Sequence, residues 1–302
     1  MRVKKKVLIL GGTGMIGHVI FRWLSTKPEY EVYATVRSPQ GSSERFPQSL
    51  QAKIKYDVDT DSLDSVIRAL ASIQPDIVIN CIGLIKQLPL SSDPLSAINI
   101  NALLPHRISL ICRTGKARLI HISTDCVFNG NKGMYKETNP SDAEDLYGRT
   151  KYLGEVNYPH CLTLRAPAIG HELKGKHGLL EWFLAQNECA NGYKNVRYSG
   201  LPTIELARVI SDYVLPNQEI SGTYHVASRP ISKYDLLKLV AKRYGKKIKI
   251  VPVDDIIQDR SLDSSEFSAK TGYLAQTWPK LIDSMYEDYA KHLKDYEGTI
   301  SR

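Results

Sequence analysis

Val7-Leu8-Ile9-Leu10-Gly11-Gly12-Thr13-Gly14-Met15-Ile16-Gly17 brings together an apolar run, a glycine-rich turn and the start of an amphipathic stretch. Residues 7–10 suit a strand buried on both faces of a parallel sheet. Past the turn, Met15, Ile16, Val19, Ile20, Trp23 and Leu24 mark one helical face. Gly11, Gly14 and Gly17 recur at every third position. They permit a tight turn, a close backbone approach to a pyrophosphate, and close packing of helix on strand. The helix N-terminus then turns its partial positive charge toward the phosphates. A plain strand–helix turn has the same outline, but this placement favours a dinucleotide site at Gly11, Thr13, Gly14, Met15, Ile16 and Gly17.

Further strands are predicted at residues 31–36, 53–56, 76–80, 117–122 and 161–164, with a helix over 63–73. Strands separated by helices specify an α/β fold, a doubly wound parallel sheet (Rossmann) with right-handed crossovers. After Arg165-Ala166-Pro167 the alternation loosens. Helices are predicted over 179–186, 206–214 and 233–244, and a surface helix over 283–295. The expected division is a dinucleotide-binding domain over 1–165 and a smaller C-terminal substrate-binding lobe over 166–302. Residues 203–227 are a segment that can pack back onto the first domain.

The end of the second strand selects the dinucleotide. An acidic residue there would bond a ribose 2′-hydroxyl, whereas an Arg accommodates a 2′-phosphate. Arg37 and Ser38 stand there with no acid beside them, which favours NADP(H) over NAD(H), the alternative. Asp57, followed by Val58, ends the third strand and either accepts from the adenine amino group or caps a loop. Asn80-Cys81-Ile82-Gly83 ends the fourth, at the crevice where such sheets bind ligands. Small residues there let the adenosine half lie close to the backbone.

A proton-transfer kit follows. Thr124 closes a strand, and Tyr147 and Lys151 are four residues apart, on one face of a helix. Reducing a ketone requires a proton on oxygen as hydride reaches carbon. A phenol of pKa about 10 needs tuning for that, and a nearby ammonium favours the phenolate. Thr124 can polarise the same carbonyl oxygen.

The chain has 302 residues, enough for one large α/β domain and a smaller one, with 42% hydrophobic and 24% charged residues, as in a soluble enzyme. The net charge of +8 suits an anionic ligand such as a nucleotide, but no basic block marks a nucleic-acid tail. Cys81, Cys112, Cys126, Cys161 and Cys189 are scattered and lack metal-ligand spacing, so reduced thiols and no metal are expected. With no signal peptide and no membrane span in the sequence, the expectation is a cytoplasmic protein.

Taken together, Gly11-x-x-Gly14-x-x-Gly17, Asp57-Val58, Asn80-x-x-Gly83, Asn99 and Tyr147-x-x-x-Lys151 resemble the extended short-chain dehydrogenase/reductases. Ser123-Thr124-Asp125-Cys126-Val127-Phe128-Asn129-Gly130 is similar to the Ser-Thr-Asp-Tyr-Val-Phe-Asp-Gly segment of the dTDP-4-dehydrorhamnose reductases. Gly200-Leu201-Pro202-Thr203 and Thr223-Tyr224-His225-Val226-Ala227 also resemble that group. The resemblance implies NAD(P)H-dependent reduction of a nucleotide-linked 4-keto-6-deoxy sugar. It assigns catalysis to Thr124, Tyr147 and Lys151, support of the lysine through backbone and water to Asn99, and a homodimer as the assembly. Lys86, Asp125, Cys126 and His177 are the expected substrate contacts.

One departure stands out, because Cys126 replaces a Tyr. GDP-fucose synthases carry a Cys after the catalytic hydroxyl and a His from the substrate lobe, and there the two couple epimerisation to reduction. Cys126 and His177 (or the less well placed His171) therefore form a candidate epimerising pair, against a reading in which Cys126 fills space. A reading from another class keeps the fold without catalysis. The beta regulatory subunit of methionine adenosyltransferase resembles the same reductases and acts as a binding partner.

Overall fold

The structure is a computed structural model and describes residues 4–38, 45–60 and 62–293. These residues build a sheet from β1 (Lys5–Leu10), β2 (Tyr30–Thr35), β3 (Ile54–Lys55), β4 (Ile77–Asn80), β5 (Arg118–Ser123), β6 (Cys161–Arg165) and β7 (Gly222–His225). Every pairing is parallel, in the order β7-β6-β5-β4-β1-β2-β3. Strand order reverses between β1 and β4. The crevice beyond the carboxyl ends of these two strands is where such sheets place ligands.

Both faces of the sheet are covered, which is why β1 is apolar at successive positions instead of alternating. Val7 and Ile9 pack with Val19, Ile20 and Leu24 of helix α1 (Gly17–Ser25) on one side. Leu8 and Leu10 pack on the other with Val66 and Leu70 of α2 (Leu63–Ile73) and with Ile108 of α3 (Leu104–Thr114). All four β1 side chains are closed to solvent. Each such burial contributes about 1.5–3 kcal/mol, so the strand that carries the glycine turn is firmly seated.

The second lobe is tied to this sheet in two ways. The helix Thr203–Val209 packs on α1, and β7 returns to pair with β6. A buried ion pair from Arg22 of α1 to Asp288 (2.8 Å) adds a further clasp. The lobe contains a three-stranded sheet in which Val196–Tyr198 lies between Ile231–Ser232 and Gln258–Asp259.

Three elements differ from expectation, and the helix predicted over 206–214 starts at Thr203 and turns π-type over Ile210–Val214. The third strand is confined to Ile54–Lys55. The last helix runs Trp278–His292, with a proline in its first turn where a missing N–H costs nothing. Residues 294 and 295 of the predicted helix lie outside the described residues. Trp278, Leu281, Ile282 and Met285 bury one stripe of this helix, so it belongs partly to the core. Among the described residues no helix is long and apolar enough to cross a membrane. No cluster of three His, Cys, Asp or Glu side chains suited to a metal occurs among them either.

Candidate active site

The glycine turn is pinned to the end of β2. Gly11 adopts φ +83°, a conformation that excludes most side chains, and its N–H donates to Thr35 Oγ1 at 3.3 Å. The N–H of Gly12 donates to the Thr35 carbonyl at 2.8 Å. At the start of α1, a Cβ on Gly17 would stand 2.2 Å from the Gly11 carbonyl oxygen, so only glycine fits. Helix α1 begins with no side-chain cap and no acid in its first turn, which leaves its positive end to an anion. Gly14 is exposed, and Thr13, Met15 and Ile16 are half-buried around it.

Arg37 and Ser38 are exposed just past β2, with no carboxylate between them and the strand. Val58 is buried and its N–H donates to the Val36 carbonyl at 3.2 Å. This bond fixes exposed Asp57 in the left-handed region at φ +59°, a conformation that Asp tolerates better than most residues. Asn80 is fully buried and committed. Its Oδ1 accepts from the Ile82 N–H at 3.1 Å, and its Nδ2 lies 3.1 Å from His121 Nδ1. Asn80 thus shapes the crevice floor. Burial pushes the Cys81 thiol up to about 12 and keeps it neutral.

The catalytic candidates meet because one helix presses on the segment that follows β5. Helix α4 (Leu146–Leu153) is capped by Asp145, whose Oδ1 accepts the Gly148 N–H at 2.9 Å. A Cβ on Gly148 would stand 2.2 Å from the Cys126 carbonyl oxygen, so the first turn of α4 lies directly on the segment after β5. That contact brings the Tyr147 phenol near the Thr124 hydroxyl, which offsets part of the upward shift that burial gives the phenol. Thr124 Oγ1 also donates to Asp125 Oδ1 at 3.0 Å and accepts the Cys126 N–H at 3.2 Å. Lys151 is buried, and its Nζ donates to the Ile122 carbonyl at 2.9 Å. Behind it, Glu155 takes a two-point bond from Arg165 (2.9 and 2.7 Å) and a bond from Ser123 Oγ at 2.7 Å.

Electrostatics separates the two partners. Burial lowers the Lys151 ammonium from 10.5 to about 8, with Glu155 opposing the fall. For Tyr147, burial and then the nearby Cys126 raise the phenol above its ordinary value. The Lys151 ammonium is not among the groups that act on Tyr147, so desolvation of the phenol oxygen sets the direction of its shift. A phenol that keeps its proton is a donor, which suits reduction.

The Asn99 side chain is not turned toward Lys151, which leaves the support expected of this residue to its backbone and a water. It is half-buried and its Oδ1 lies 3.5 Å from Arg107 Nη1 on the outer side. The interior position belongs to Asn101, which accepts the Leu84 N–H at 2.8 Å and donates to the Leu84 carbonyl at 3.1 Å. A Cβ added at Gly83 would meet Asn101 Oδ1 at 3.4 Å and Lys151 Nζ at 3.7 Å, so the three groups share one space. Helical phase could have shown this. Ala97, Asn101, Leu104 and Ile108 recur at four, three and four residues and are all buried, and Asn99 falls outside that stripe. The π-type turn over Ile98–Leu103 interrupts the helix at this point, as such turns often do at functional sites.

Cys126 and His177, expected on opposite faces of a sugar ring, do not touch each other. Cys126 Sγ accepts from Arg260 Nη1 at 3.8 Å, and burial followed by Asp125 pushes its thiol up to about 11. A neutral thiol is a poor base near pH 7. His177 is exposed, and its N–H donates to Glu172 Oε2 at 3.4 Å. Its neighbour Gly178 faces Met15 Sδ of the cofactor turn. No contact among the described residues links His177 to Cys126. His171 is structural, with Nδ1 on Glu181 Oε1 at 2.6 Å and Nε2 on the Tyr244 hydroxyl at 2.8 Å. Lys86 and Asp125 do lie at the site: Lys86 Nζ bonds Asp145 Oδ2 at 2.7 Å and sits 5.7 Å from the Tyr147 ring centre. Two cations of the second lobe, Lys233 and Arg260, also act electrostatically on Asp125 and Cys126. Neither carries a local motif, so the sequence alone does not reveal them.

The solved structure of dTDP-4-dehydrorhamnose reductase from Bacillus anthracis in complex with NADP superposes with a TM-score of 0.77 at 20% identity, covering 95% of this chain and all of that one. That likeness is one of fold. Methionine adenosyltransferase 2 subunit beta of Danio rerio is 23% identical over 256 residues, covering 80% of this chain and 74% of the relative. The probable low-salt glycan biosynthesis reductase Agl14 of Haloferax volcanii is 26% identical over 232 residues, covering 73% and 74%. The RmlD substrate binding domain matches residues 5–290, nearly the whole chain. The protein belongs to the RmlD substrate-binding-domain family.

Proposed function

We propose that this chain is an NADP(H)-dependent reductase of a nucleotide-linked 4-keto-6-deoxy sugar. The observation that carries the reading is the junction of Thr124 and Tyr147 with buried Lys151, formed at the end of β5 on the ligand side of the sheet. The residues present fit a dinucleotide. Gly17 lets α1 start directly against the Gly11 backbone, and the uncapped end of α1 suits its pyrophosphate. Asp57 is read as the acceptor for the adenine amino group, and Arg37 as the partner of a 2′-phosphate. When bound, the dinucleotide supplies the hydride.

The protein's own part is the proton and the field. Thr124 and Tyr147 bond the keto oxygen together, so it is polarised before reduction. Tyr147, held as a phenol, then gives its proton to that oxygen. Lys151 supplies the positive charge that stabilises the resulting phenolate, and it is also placed to hold a ribose hydroxyl. Asn101 keeps the Leu84 backbone and the Gly83 platform in place beside Lys151. Cys126 acts as a neutral wall residue in this scheme.

A second reading is favoured by the relatives named as a subunit, which span most of the chain. In that reading the dinucleotide site is retained and turnover is lost. The test is oxidation of NADPH by the purified protein with dTDP-, UDP- and GDP-linked 4-keto-6-deoxyhexoses, with the product identified by NMR. Turnover that disappears in Tyr147→Phe, while NADPH still binds, is the expected result. NADPH binding with no turnover on any of these sugars would favour the regulatory reading.

A further inference from the structure

Three neighbouring strands end in a row of polar side chains. Parallel register sets Ser123 of β5 beside Arg165 of β6, and Arg165 beside His225 of β7. Residues matched in this way share one face of a sheet. Glu155, just past the end of α4, reaches that row and is held at three points. Its Oε1 accepts from Arg165 Nε at 2.9 Å and from Ser123 Oγ at 2.7 Å, and its Oε2 accepts from Arg165 Nη2 at 2.7 Å. The remaining guanidinium nitrogen, Nη1, donates to His225 Nε2 at 3.1 Å. His225 Nδ1 faces the carbonyls of Tyr135 and Asp263 at 3.0 and 3.2 Å, so it carries the ring proton and leaves Nε2 to accept. Burial, and then Arg165 itself, holds this ring neutral. Each nitrogen of Arg165 is thus engaged.

Lys151 is left beside this row without joining it. It is buried, yet among the described residues no carboxylate lies within ion-pair distance of it. Its Nζ donates to the Ile122 carbonyl, and Glu155 takes the hydroxyl of the next residue, Ser123. The two groups therefore attach to consecutive residues of β5 without pairing. Glu155 is nevertheless the main charge that opposes loss of the Lys151 proton. The other titratable groups beside this lysine are Cys81, just past β4, and His121 within β5, and burial keeps both neutral. A buried ammonium with no counter-charge sheds its proton, whereas one paired directly spends its donors on the partner.

We infer that Glu155 is a positioning residue that acts through Lys151. It is a counter-charge near enough to keep the ammonium charged, and Arg165 ties it back so that the lysine's remaining donors stay free. His225 completes the tie by occupying Arg165 Nη1. That those donors serve the ribose of a dinucleotide rests on the reductase reading, whereas the arrangement of charges does not. Without Glu155 the ammonium loses its counter-charge. Without Arg165 the carboxylate is released to pair with Lys151. The two changes move the proton affinity of Lys151 in opposite directions.

The test is an NMR titration of the full chain, free of dinucleotide, with lysine isotope-labelled at Cε. The Lys151 signal is the one missing from Lys151→Met, and in wild type it should titrate near pH 8. Glu155→Gln should bind this proton about tenfold more weakly, and Arg165→Met about tenfold more tightly. Glu155→Asp, which keeps the charge, should fall between wild type and Glu155→Gln. Arg165→Met should also bind NADPH about tenfold more weakly, because the carboxylate then takes the donors. Glu155→Gln strands a buried guanidinium, so Glu155→Gln/Arg165→Met replaces it if the single variant does not fold, with the same weakening expected. Titration that moves the same way in the Glu155 and Arg165 variants, or in neither, overturns the counter-charge. Unchanged NADPH affinity in Arg165→Met overturns the tie. No turnover enters either measurement, so the counter-charge and the reductase reading fail independently.

Discussion

Lys151→Met should separate stability from function. The buried ammonium is held at about 8 against an ordinary 10.5, which at about 1.4 kcal/mol per unit of pKa means the folded chain carries about 3 kcal/mol of unfavourable charge burial. Met keeps the stem and removes the charge. It also removes the bond from Nζ to the Ile122 carbonyl, and an unsatisfied buried carbonyl costs about 1–3 kcal/mol. At pH 7 the dinucleotide-free variant is thus expected to be as stable as wild type or up to about 2 kcal/mol more stable, while turnover and cofactor affinity collapse. The pH dependence is the sharper part. The folded chain releases this proton near pH 8 and the unfolded chain holds it to 10.5, so the unfolded state binds more protons between those values. Wild-type stability therefore rises relative to the variant by about 3 kcal/mol as pH climbs through that window. Urea unfolding of both proteins at a series of pH values measures the difference, and taking the difference cancels the other titrating groups. A flat or falling difference would refute the claim that burial dominates at Lys151.

Asn101→Ala should lower the melting temperature and turnover together, since it strands the Leu84 N–H and carbonyl at a cost of about 1–3 kcal/mol each. Asn99→Ala should stay within about 0.5 kcal/mol of wild type with normal kinetics, and equal damage from both substitutions would return Asn99 to the site. NADPH should bind more tightly than NADH, and Arg37→Ala should remove most of the gap. A charge-assisted bond to a 2′-phosphate is worth about 1.5–3 kcal/mol. Calorimetry that finds both cofactors bound equally by wild type would discard this role for Arg37.

The parallel sheet and the cofactor turn are legible in the sequence because their causes are local. Four buried apolar residues in a row require cover on both faces. Gly11 and Gly17 answer backbone demands that arise within a single strand–turn–helix unit. Thr124, Tyr147 and Lys151 are legible for a similar reason, since strand-end position and helical spacing already place them. What only the tertiary structure decided depends on contacts between segments far apart in the chain. Asn101 and not Asn99 faces Lys151 because the helix rotates to bury Ala97, Leu104 and Ile108 against the sheet. Cys126 meets Arg260 because the small sheet of the second lobe closes over the segment after β5. The proton stays on Tyr147 because desolvation is a property of everything packed around the ring, and no spacing of residues along a chain records it.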